Sequence, residues 1–399
     1  MKAYIESYGC TLNKGEASLI EDSLSRKGFE FVEKPEKADA IFIATCAVIE
    51  ATERHMLKRI KELSALKKNV YVTGCLAAWR DREIEELGAT PLRKLDFEDL
   101  LNESSADRTN RVISTIPIST GCLGKCSYCV TRTIRGKLRS YEPELIIEKA
   151  KDLIRDGTRE IRITAQDAAC YGFDKKALHL PELIRGITSI EGRFRVRVGM
   201  MTPNNYLRIE KDLLSSFVSK KVYRFFHLPL QSADDEILKA MRRGYTFDEY
   251  SEAIKRIKEE YKESTIATDI IAGFPGESWQ SFMKSYRALQ LLKPDIVNIT
   301  RFSPREGTEA YSWPRPISRE VKTRSRMLTK ISRDITTEIN RSFVGMTLEA
   351  LTCEYGKDNT VMARSNFYKP IVIPATKLGK FIRAKIIDAN RIYLVGKEI

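Results

Sequence analysis

Six strand-like segments follow one another between Val112 and Phe302, and this alternation with helical patterns restricts the fold more than any other feature. Each segment is short and apolar, and helical patterns such as residues 234–241 and 247–261 separate neighbouring segments. The segments are Ile113–Ile118, Glu160–Thr164, Phe194–Val198, Tyr223–Leu228, Ile266–Ile271 and Ile296–Phe302. Six such units predict a partial or full parallel (β/α)6 barrel with its chemistry at the carboxyl ends of the strands.

Residues 1–105 show a separate alternation of strands and helices. Predicted strands cover Ala3–Ser7, Ala40–Thr45 and Val70–Thr73, and predicted helices cover Leu12–Lys27 and Ala51–Leu66. This order is typical of a parallel-sheet α/β domain. A polar stretch over residues 102–110 is a candidate linker to the barrel domain, which we expect to span 110–340.

The last part of the chain changes character after a basic helix predicted over Arg319–Arg341. Its short alternating strands are predicted at Leu348–Cys353, Thr360–Arg364, Phe381–Asp388 and Arg391–Val395. We therefore expect a small antiparallel β-barrel over residues 341–399, an architecture that often presents a nucleic-acid-binding face.

The charge of the chain favours a nucleic-acid partner. The formal net charge is +14, from 68 basic and 54 acidic residues. Contact with an anionic membrane and simple solvation are the alternatives, but no basic amphipathic helix points to a membrane. No stretch approaches the roughly 20 apolar residues of a membrane span. We expect a soluble, cytoplasmic protein that does not bind membranes.

A loop directly after the first barrel strand carries three cysteines. Residues 121–129, which we call the thiol loop, read Gly-Cys-Leu-Gly-Lys-Cys-Ser-Tyr-Cys and place Cys122, Cys126 and Cys129 in a C-x3-C-x2-C spacing. That spacing suits a four-iron cluster in which the fourth iron stays open to a small molecule. Zinc or coincidence is the alternative, but the three histidines of the chain are remote in sequence from this loop.

Three further cysteines each end a predicted strand of the first domain. Cys10, Cys46 and Cys75, which we call the N-terminal thiols, should converge because the carboxyl ends of parallel strands share one edge of the sheet. A second three-thiolate iron–sulfur cluster is the economical interpretation, since a disulfide framework is atypical of a large chain without a secretion signal. Cys170 and Cys353 have no partner motif and are interpreted as small apolar residues.

Other candidate site residues follow the barrel strands. Gln166, Gln231 and Gly273 lie after the second, fourth and fifth strands, where a barrel enzyme holds its ligands. The run from Thr131 to Arg139 places several cations beside the thiol loop. It is either a solvated basic loop or, as we expect for Arg132, Arg135 and Arg139, a site of contact with nucleic-acid phosphates.

The thiol loop and barrel resemble the radical S-adenosylmethionine superfamily, and further motifs resemble its methylthiotransferases. These motifs are Tyr8-Gly9-Cys10, Ala44-Thr45-Cys46, Val72-Thr73-Gly74-Cys75, His227 to Ser232, Gly273 to Glu277 and Phe302 to Thr308, and residues from about Ser342 are similar to a TRAM domain. The resemblance implies that S-adenosylmethionine binds the open iron of a 4Fe-4S cluster on the thiol loop, with Tyr128, Gln166, Gln231 and Gly273 as cofactor contacts. It also implies a second 4Fe-4S cluster on the N-terminal thiols.

Residues 121–141, with 164–172, resemble most the branch that acts on threonylcarbamoyladenosine in tRNA. The implied reaction uses one S-adenosylmethionine as methyl donor to sulfur and a second as the source of a radical that abstracts hydrogen from carbon 2 of adenine 37. Implied partners are the tRNA anticodon stem-loop, an electron donor such as a flavodoxin or ferredoxin, and a sulfur donor.

Three alternatives to that function stay open at this point. Related branches methylthiolate isopentenyladenosine in tRNA or an aspartate of a ribosomal protein. The basic charge argues against the protein substrate, which has no charged RNA backbone to be bound. A non-catalytic iron–sulfur RNA-binding protein is the alternative from another class.

Overall fold

The computed structural model describes residues 1–93, 97–102, 111–175 and 178–399. The predicted linker lies outside the described residues except for Asn102, which ends a short helix. Within the described residues, none of the helices combines the length and apolar character that a membrane span requires.

Residues 1–93 form the N-terminal unit, a five-stranded parallel sheet with helices. Its strand order is β2-β1-β3-β4-β5. In chain order the elements are β1 Lys2–Ser7, α1 Thr11–Arg26, β2 Glu30–Phe31, β3 Ala40–Thr45, α2 Glu50–Ser64, β4 Asn69–Gly74, α3 Cys75–Trp79, α4 Asp81–Glu86 and β5 Thr90–Pro91. The predicted parallel α/β arrangement is confirmed, and the two edge strands of two residues each are additions.

The central barrel begins with β6 and contains six parallel strands, as predicted. The strands form two three-stranded sheets, β10-β9-β6 and β11-β12-β13, which an isolated parallel bridge between Val196 and Val222 connects. The elements are α5 Phe97–Asn102, β6 Ile113–Pro117, β7 Ser119–Thr120, α6 Thr131–Arg135, β8 Arg139–Ser140, α7 Pro143–Arg155, β9 Glu160–Thr164, α8 Leu180–Thr188, β10 Arg195–Val198, α9 Pro203–Ser216, β11 Phe225–His227, α10 Asp235–Ala240, α11 Phe247–Glu260, β12 Thr265–Ala272, α12 Trp279–Leu292, β13 Ile296–Arg301 and α13 Ser318–Arg341.

The faces of the barrel strands differ in chemistry. On β9 and β10 the residues Ile161, Ile163, Val196 and Val198 are buried in the main hydrophobic core together with the helices. The intervening residues are polar, and the burial of apolar side chains between strands and helices stabilises the barrel. The interior is consequently lined by charged and polar groups rather than by a second apolar core.

The terminal barrel is a closed five-stranded sheet of order β14-β15-β16-β18-β17. Its strands are β14 Thr347–Tyr355, β15 Thr360–Ser365, β16 Pro370–Pro374, β17 Phe381–Ala389 and β18 Leu394–Glu398. The predicted small barrel is confirmed, with two differences. β16 was not predicted, and its pairing with β18 is parallel while the other four pairings are antiparallel.

The terminal barrel covers the amino end of the central barrel. Glu160, the first residue of β9, is fully buried at this junction. Its carboxylate accepts hydrogen bonds from Tyr368 at 3.0 Å and Tyr223 at 3.2 Å, and it pairs with Arg162 at 2.6 Å. Cys353 also lies here, 3.5 Å from the Glu160 carboxylate. The opposite, carboxyl end of the central barrel is left for the thiol loop.

Candidate active site

The thiol loop is closed at its base by a short antiparallel pair. Strands β7 and β8 flank it, with Ser119 opposite Ser140 and Thr120 opposite Arg139. Gly121 begins the loop with φ +75°, and a side chain there would collide with the carbonyl oxygen of Lys137. Only glycine combines that backbone conformation with so close an approach. After β6 the chain therefore forms a closed loop that contains the three cysteines, and β8 brings it back beside β7.

Hydrogen bonds to neighbouring segments hold the thiol loop in place. The Ser127 hydroxyl donates to the Ala240 carbonyl at 2.8 Å, and the Ser127 carbonyl accepts from the Ala310 amide at 2.8 Å. The Gly124 amide donates to the Cys122 sulfur at 3.2 Å, and Arg243 donates to the Cys126 sulfur at 3.3 Å. These donors fix the positions of the two sulfur atoms within the loop.

The three thiols of the loop line one cavity of about 390 Å³. Burial, together with the charge of Asp167 and the neighbouring thiols, raises the pKa of Cys122 to about 11. Among the described residues, no group of three His, Cys, Asp or Glu side chains is arranged to hold a single metal ion. A four-iron cluster does not require the three side chains to converge on a single ion, because each thiolate binds a separate iron.

The N-terminal thiols follow three neighbouring strands, as the sequence predicts. Cys10 follows β1, Cys46 follows β3 and Cys75 begins α3 directly after β4. The three are mutually close, since Cys75 and Cys10 both act electrostatically on Cys46, and burial is the main cause that raises the pKa of Cys46. An added Cβ at Gly9 would lie 2.7 Å from the Cys46 Cβ, so the β1–α1 turn passes directly beside this thiol.

Arg135 connects the two groups of cysteines. It ends α6, the helix that follows the thiol loop, and its guanidinium donates to Glu16 at 2.5 and 2.9 Å and to Asn13 at 3.0 Å. It also hydrogen-bonds the Cys75 thiol. This placement differs from the predicted phosphate contact, because the side chain is buried and already bonded within the protein.

The other two predicted phosphate ligands are more accessible. Arg132 lines the thiol-loop cavity and donates to the Leu123 carbonyl at 3.0 Å. Arg139 lies on the rim between the N-terminal unit and the barrel, pairs with Glu98 at 3.1 Å and is 48% exposed. Both remain candidate contacts with a polyanion.

The predicted cofactor contacts lie around the carboxyl ends of the strands. Gln166 has a buried side-chain oxygen without a hydrogen-bond partner in the described part of the chain. Gln231 has φ +68°, and its backbone continues the pairing with β12. Tyr128 packs edge-on against Phe274, with ring centroids 6.0 Å apart.

The Gly273 backbone lies very close to helix α13. Its φ is +77°, and an added Cβ would lie 2.5 Å from the Val321 side chain on α13. Its amide donates to Glu277 at 2.8 Å, and Glu277 in turn accepts from Arg324 at 2.8 Å. The Gly273 backbone, which the sequence predicts to contact the cofactor, therefore packs against α13.

Sequence reasoning missed two arginines at the site. Arg243, beside Cys126 and 3.3 Å from the Tyr245 hydroxyl, is one. Arg305 is the other, since it forms a buried pair with Glu53 of α2 at 2.5 Å. The family-like motif Phe302 to Thr308 contained Arg305, but nothing in the motif indicates that it joins the barrel to the N-terminal unit.

Of the two remaining cysteines, Cys170 lies near the site. Its thiol is fully buried, donates to the Asp167 carbonyl at 3.1 Å and accepts a hydrogen bond from the Leu123 amide. Cys353 lies at the junction with the terminal barrel, far from the thiol loop. Both are buried residues, in line with the interpretation as small apolar side chains.

Comparison with known proteins identifies the family. Residues 116–289 match the Radical SAM superfamily, and residues 2–91 match uncharacterized protein family UPF0004. A "Probable threonylcarbamoyladenosine tRNA methylthiotransferase" from Pyrococcus horikoshii is 39% identical over the whole of both chains. The chain belongs to the radical SAM tRNA methylthiotransferases. The same printed name is carried by a Methanocaldococcus jannaschii protein, 38% identical over all of this chain and 97% of that one.

A second branch of the family is also similar, at lower identity. A Dictyoglomus thermophilum protein named tRNA-2-methylthio-N(6)-dimethylallyladenosine synthase is 33% identical over all of this chain and 98% of its own. Among solved structures, the radical S-adenosylmethionine methyltransferase TsrM from Kitasatospora setae superposes with a TM-score of 0.56 at 12% identity, over 78% of this chain and 76% of that one. At that identity the likeness concerns the fold alone.

Proposed function

We propose that this methylthiotransferase adds a methylthio group to carbon 2 of N6-threonylcarbamoyladenosine beside the anticodon of tRNA. The observation that carries the proposal is the arrangement of two three-cysteine groups that Arg135 connects across one domain junction. One group lies at the carboxyl end of the barrel and the other at the carboxyl edge of the N-terminal sheet. The full-length relatives named for this substrate support the choice of nucleoside.

The side chains of both groups fit iron–sulfur clusters chemically. Thiolate is the ligand that such clusters require, and three thiolates leave one of four irons free. Cys122, Cys126 and Cys129 would hold the catalytic cluster, and Cys10, Cys46 and Cys75 the second. When bound, the catalytic cluster and S-adenosylmethionine supply the electron and the radical that removes hydrogen from carbon 2.

The chain's own residues orient and protect these groups. Arg243 places a guanidinium donor 3.3 Å from the Cys126 sulfur and so orients that side chain. The orphaned oxygen of Gln166 is available to accept a hydrogen bond from a bound cofactor, since a buried polar atom without a partner is costly. Tyr128 packs edge-on against Phe274, so its ring is held in one orientation beside Cys129.

The tRNA would be bound chiefly through its phosphates. The net charge of +14 and the accessible Arg132 beside the thiol loop favour such contacts, and binding should weaken as salt rises. A base next to the anticodon is already unpaired, so little energy is needed to bring it out of the stack. We expect the enzyme to act in the cytoplasm with a flavodoxin- or ferredoxin-type reductant and a separate sulfur donor.

Nucleoside analysis of tRNA from a strain that lacks the gene tests the substrate. The proposal predicts loss of methylthio-threonylcarbamoyladenosine and accumulation of threonylcarbamoyladenosine, and plasmid-borne wild type should restore the product. Unchanged methylthio-threonylcarbamoyladenosine would contradict the proposal. Reductive formation of 5′-deoxyadenosine by the reconstituted protein separately distinguishes an enzyme from a non-catalytic iron–sulfur RNA-binding protein.

A further inference from the structure

A second cavity, of about 490 Å³, lies between the central barrel, α13 and the terminal barrel. Its inner wall is the interior of the central barrel, with Arg197 of β10, His227 of β11 and Asn298 of β13. Its outer wall includes Arg333 of α13 and Arg364 and Arg391 of the terminal barrel region. Cavities of this size commonly hold small ligands.

The charge of this cavity is strongly one-sided. Its lining contains four arginines and one lysine but a single carboxylate, Asp295. That carboxylate is already neutralised, because Lys369 contacts it at 2.8 Å and the Ile266 amide donates to it at 2.9 Å. The four arginines therefore face the cavity without a matching negative charge in its lining.

Arg197 is the residue that most needs a partner. Its guanidinium lies between the rings of Phe225 and Tyr368, at 4.7 and 5.1 Å from their centroids, and its buried Nε has no hydrogen-bond partner within the described chain. Burial lowers the pKa of Arg197 from its ordinary value. The charge of Glu160 also acts on Arg197, but the guanidinium forms no ion pair within the described chain, whereas buried charges are normally paired.

Arg195, the neighbouring arginine that also faces the barrel interior, has a purely structural role. Arg195, two residues earlier on β10, donates to the Lys220 carbonyl at 2.7 Å, to Asn366 at 2.7 Å and to Glu349 at 3.0 Å. Arg364 resembles Arg197 instead, because its Nε is also without a partner among described residues and its nearest carboxylate, Glu354, is 3.9 Å away.

Hydrogen bonds and one electrostatic interaction relate this cavity to the thiol loop. Arg243 contacts the Cys126 sulfur and the Tyr245 hydroxyl, and the charge of Asp269 acts on Tyr245. Asp269 is bonded to His227 at 3.1 Å, and His227 lines the cavity. The cavity therefore opens on the barrel interior below the carboxyl end, where the thiol loop lies.

We propose that this cavity is the subsite for the carboxylate of the N6-threonylcarbamoyl group, with Arg197 as its principal ligand. The assignment rests on the proposed function and names how the nucleoside is selected. Carbon 6, which carries the N6 substituent, and carbon 2 lie on either side of N1 of the ring, so their outward bonds diverge. When carbon 2 faces the thiol loop, the substituent therefore extends away from the cysteines into the barrel interior.

The same arrangement would reject an isopentenyl group. A purely apolar substituent would occupy the cavity without supplying a negative charge. The arginines would then lose their hydration without gaining an ion pair or hydrogen bond. A carboxylate offers two oxygens that match the planar donors of a guanidinium. Selection between the two branches of the family would thus come from one charge-assisted contact.

The test compares two synthetic anticodon stem-loops as substrates of the reconstituted holoenzyme. One carries N6-threonylcarbamoyladenosine and the other its methyl ester, which removes the negative charge and adds one methyl group. For wild type we expect kcat/KM to favour the acid by about tenfold to a hundredfold, the range of a charge-assisted hydrogen bond. Equal rates with acid and ester would overturn the proposal without any variant.

Variants then locate the contact. Arg197→Gln should reduce the ratio of kcat/KM for the acid to that for the ester to about one, given that the ester lacks the charge. Arg333→Gln should reduce the preference for the acid over the ester in part. Because Arg333 is exposed, this substitution should not disturb the core. Arg319→Gln is the matched control, an exposed arginine on the same helix about 21 Å away at 1.5 Å per residue.

Two other outcomes are separately recognisable. If Arg197→Gln lowers the rates with acid and ester equally, Arg197 serves the RNA backbone or the fold, and the carboxylate assignment is wrong. If wild type leaves the threonylcarbamoyl stem-loop unmodified while it methylthiolates an isopentenyl one, the proposed function fails and the subsite fails with it.

Discussion

Arg135 and Glu16 form a buried ion pair, with 2.5 Å between Nη1 and Oε1, that joins the helix after the thiol loop to the N-terminal unit. The side chains are 8% and 1% exposed. Because Arg135 ends the helix that follows the thiol loop and also contacts the Cys75 thiol, it links the segment after one group of cysteines to a member of the other. The two sites are therefore parts of one structure rather than independent modules.

Removal of one partner of this pair should destabilise the protein strongly. Arg135→Gln leaves the buried Glu16 without its cation, and we expect a loss of about 3–5 kcal/mol in the free energy of unfolding. The double variant Arg135→Met with Glu16→Leu should recover most of that loss, because it buries no uncompensated charge. Chemical denaturation of all three proteins measures both values, and a loss below about 1 kcal/mol for Arg135→Gln would contradict the prediction.

The pair between Arg305 and Glu53 should hold the N-terminal unit against the barrel. Arg305→Ala removes one of the two cations that pair with Glu53, the other being Arg80 at 2.9 Å, and Arg305 also stacks on Trp79 at 4.3 Å. We expect much faster amide exchange in α2, measured by mass spectrometry. Arg54→Ala is the control, since Arg54 lies on the same helix in a pair with Glu50 and is 75% exposed. That surface pair should contribute below about 1 kcal/mol and leave the exchange unchanged. Equal exchange in both variants would refute this role.

Alkylation of the iron-free protein should report the raised pKa of Cys122. With a pKa of about 11, the thiol is protonated at neutral pH, and only the thiolate reacts. Its rate with iodoacetamide should rise about tenfold per pH unit between pH 8 and pH 10 and level off only above pH 11, whereas a free cysteine levels off above about pH 9. Peptide mass spectrometry gives the rate at this residue, and a plateau by pH 9 would be inconsistent with the buried environment.

Iron analysis should separate the two groups of cysteines. A Cys10/Cys46/Cys75 triple alanine variant should retain about four of eight irons after reconstitution, since each cluster holds four. Cys353→Ala, a buried cysteine of the terminal barrel, is the matched control and should retain all of them. A triple variant that still binds about eight irons would rule out the second cluster.

Local and periodic features made much of the architecture predictable. All six barrel strands were expected within two residues of where they lie, because each is a compact apolar run between helical patterns. The convergence of Cys10, Cys46 and Cys75 followed from the shared edge of parallel strands. β16 was missed because Pro370 and Pro374 bound it, and proline argues against a strand.

Contacts between distant parts of the chain could not be predicted. Glu16 precedes Arg135 by 119 residues, and Glu53 precedes Arg305 by 252, so no spacing reveals either pair. Arg135 therefore looked like one more cation of a basic run. Arg197 looked like an ordinary polar residue of an alternating strand. The positions of Phe225 and Tyr368, and the lack of an ion pair among the described residues, distinguish it.

The most direct test of the central claim is the product formed in vitro by the reconstituted enzyme on tRNA that carries threonylcarbamoyladenosine. With S-adenosylmethionine, sulfide and a reductant, nucleoside mass spectrometry should detect methylthio-threonylcarbamoyladenosine with wild type. The Cys10/Cys46/Cys75 variant should form 5′-deoxyadenosine but no methylthio product, because its thiol loop is intact. Formation of the methylthio nucleoside by that variant, or its absence with a wild type that cleaves S-adenosylmethionine, would contradict the account.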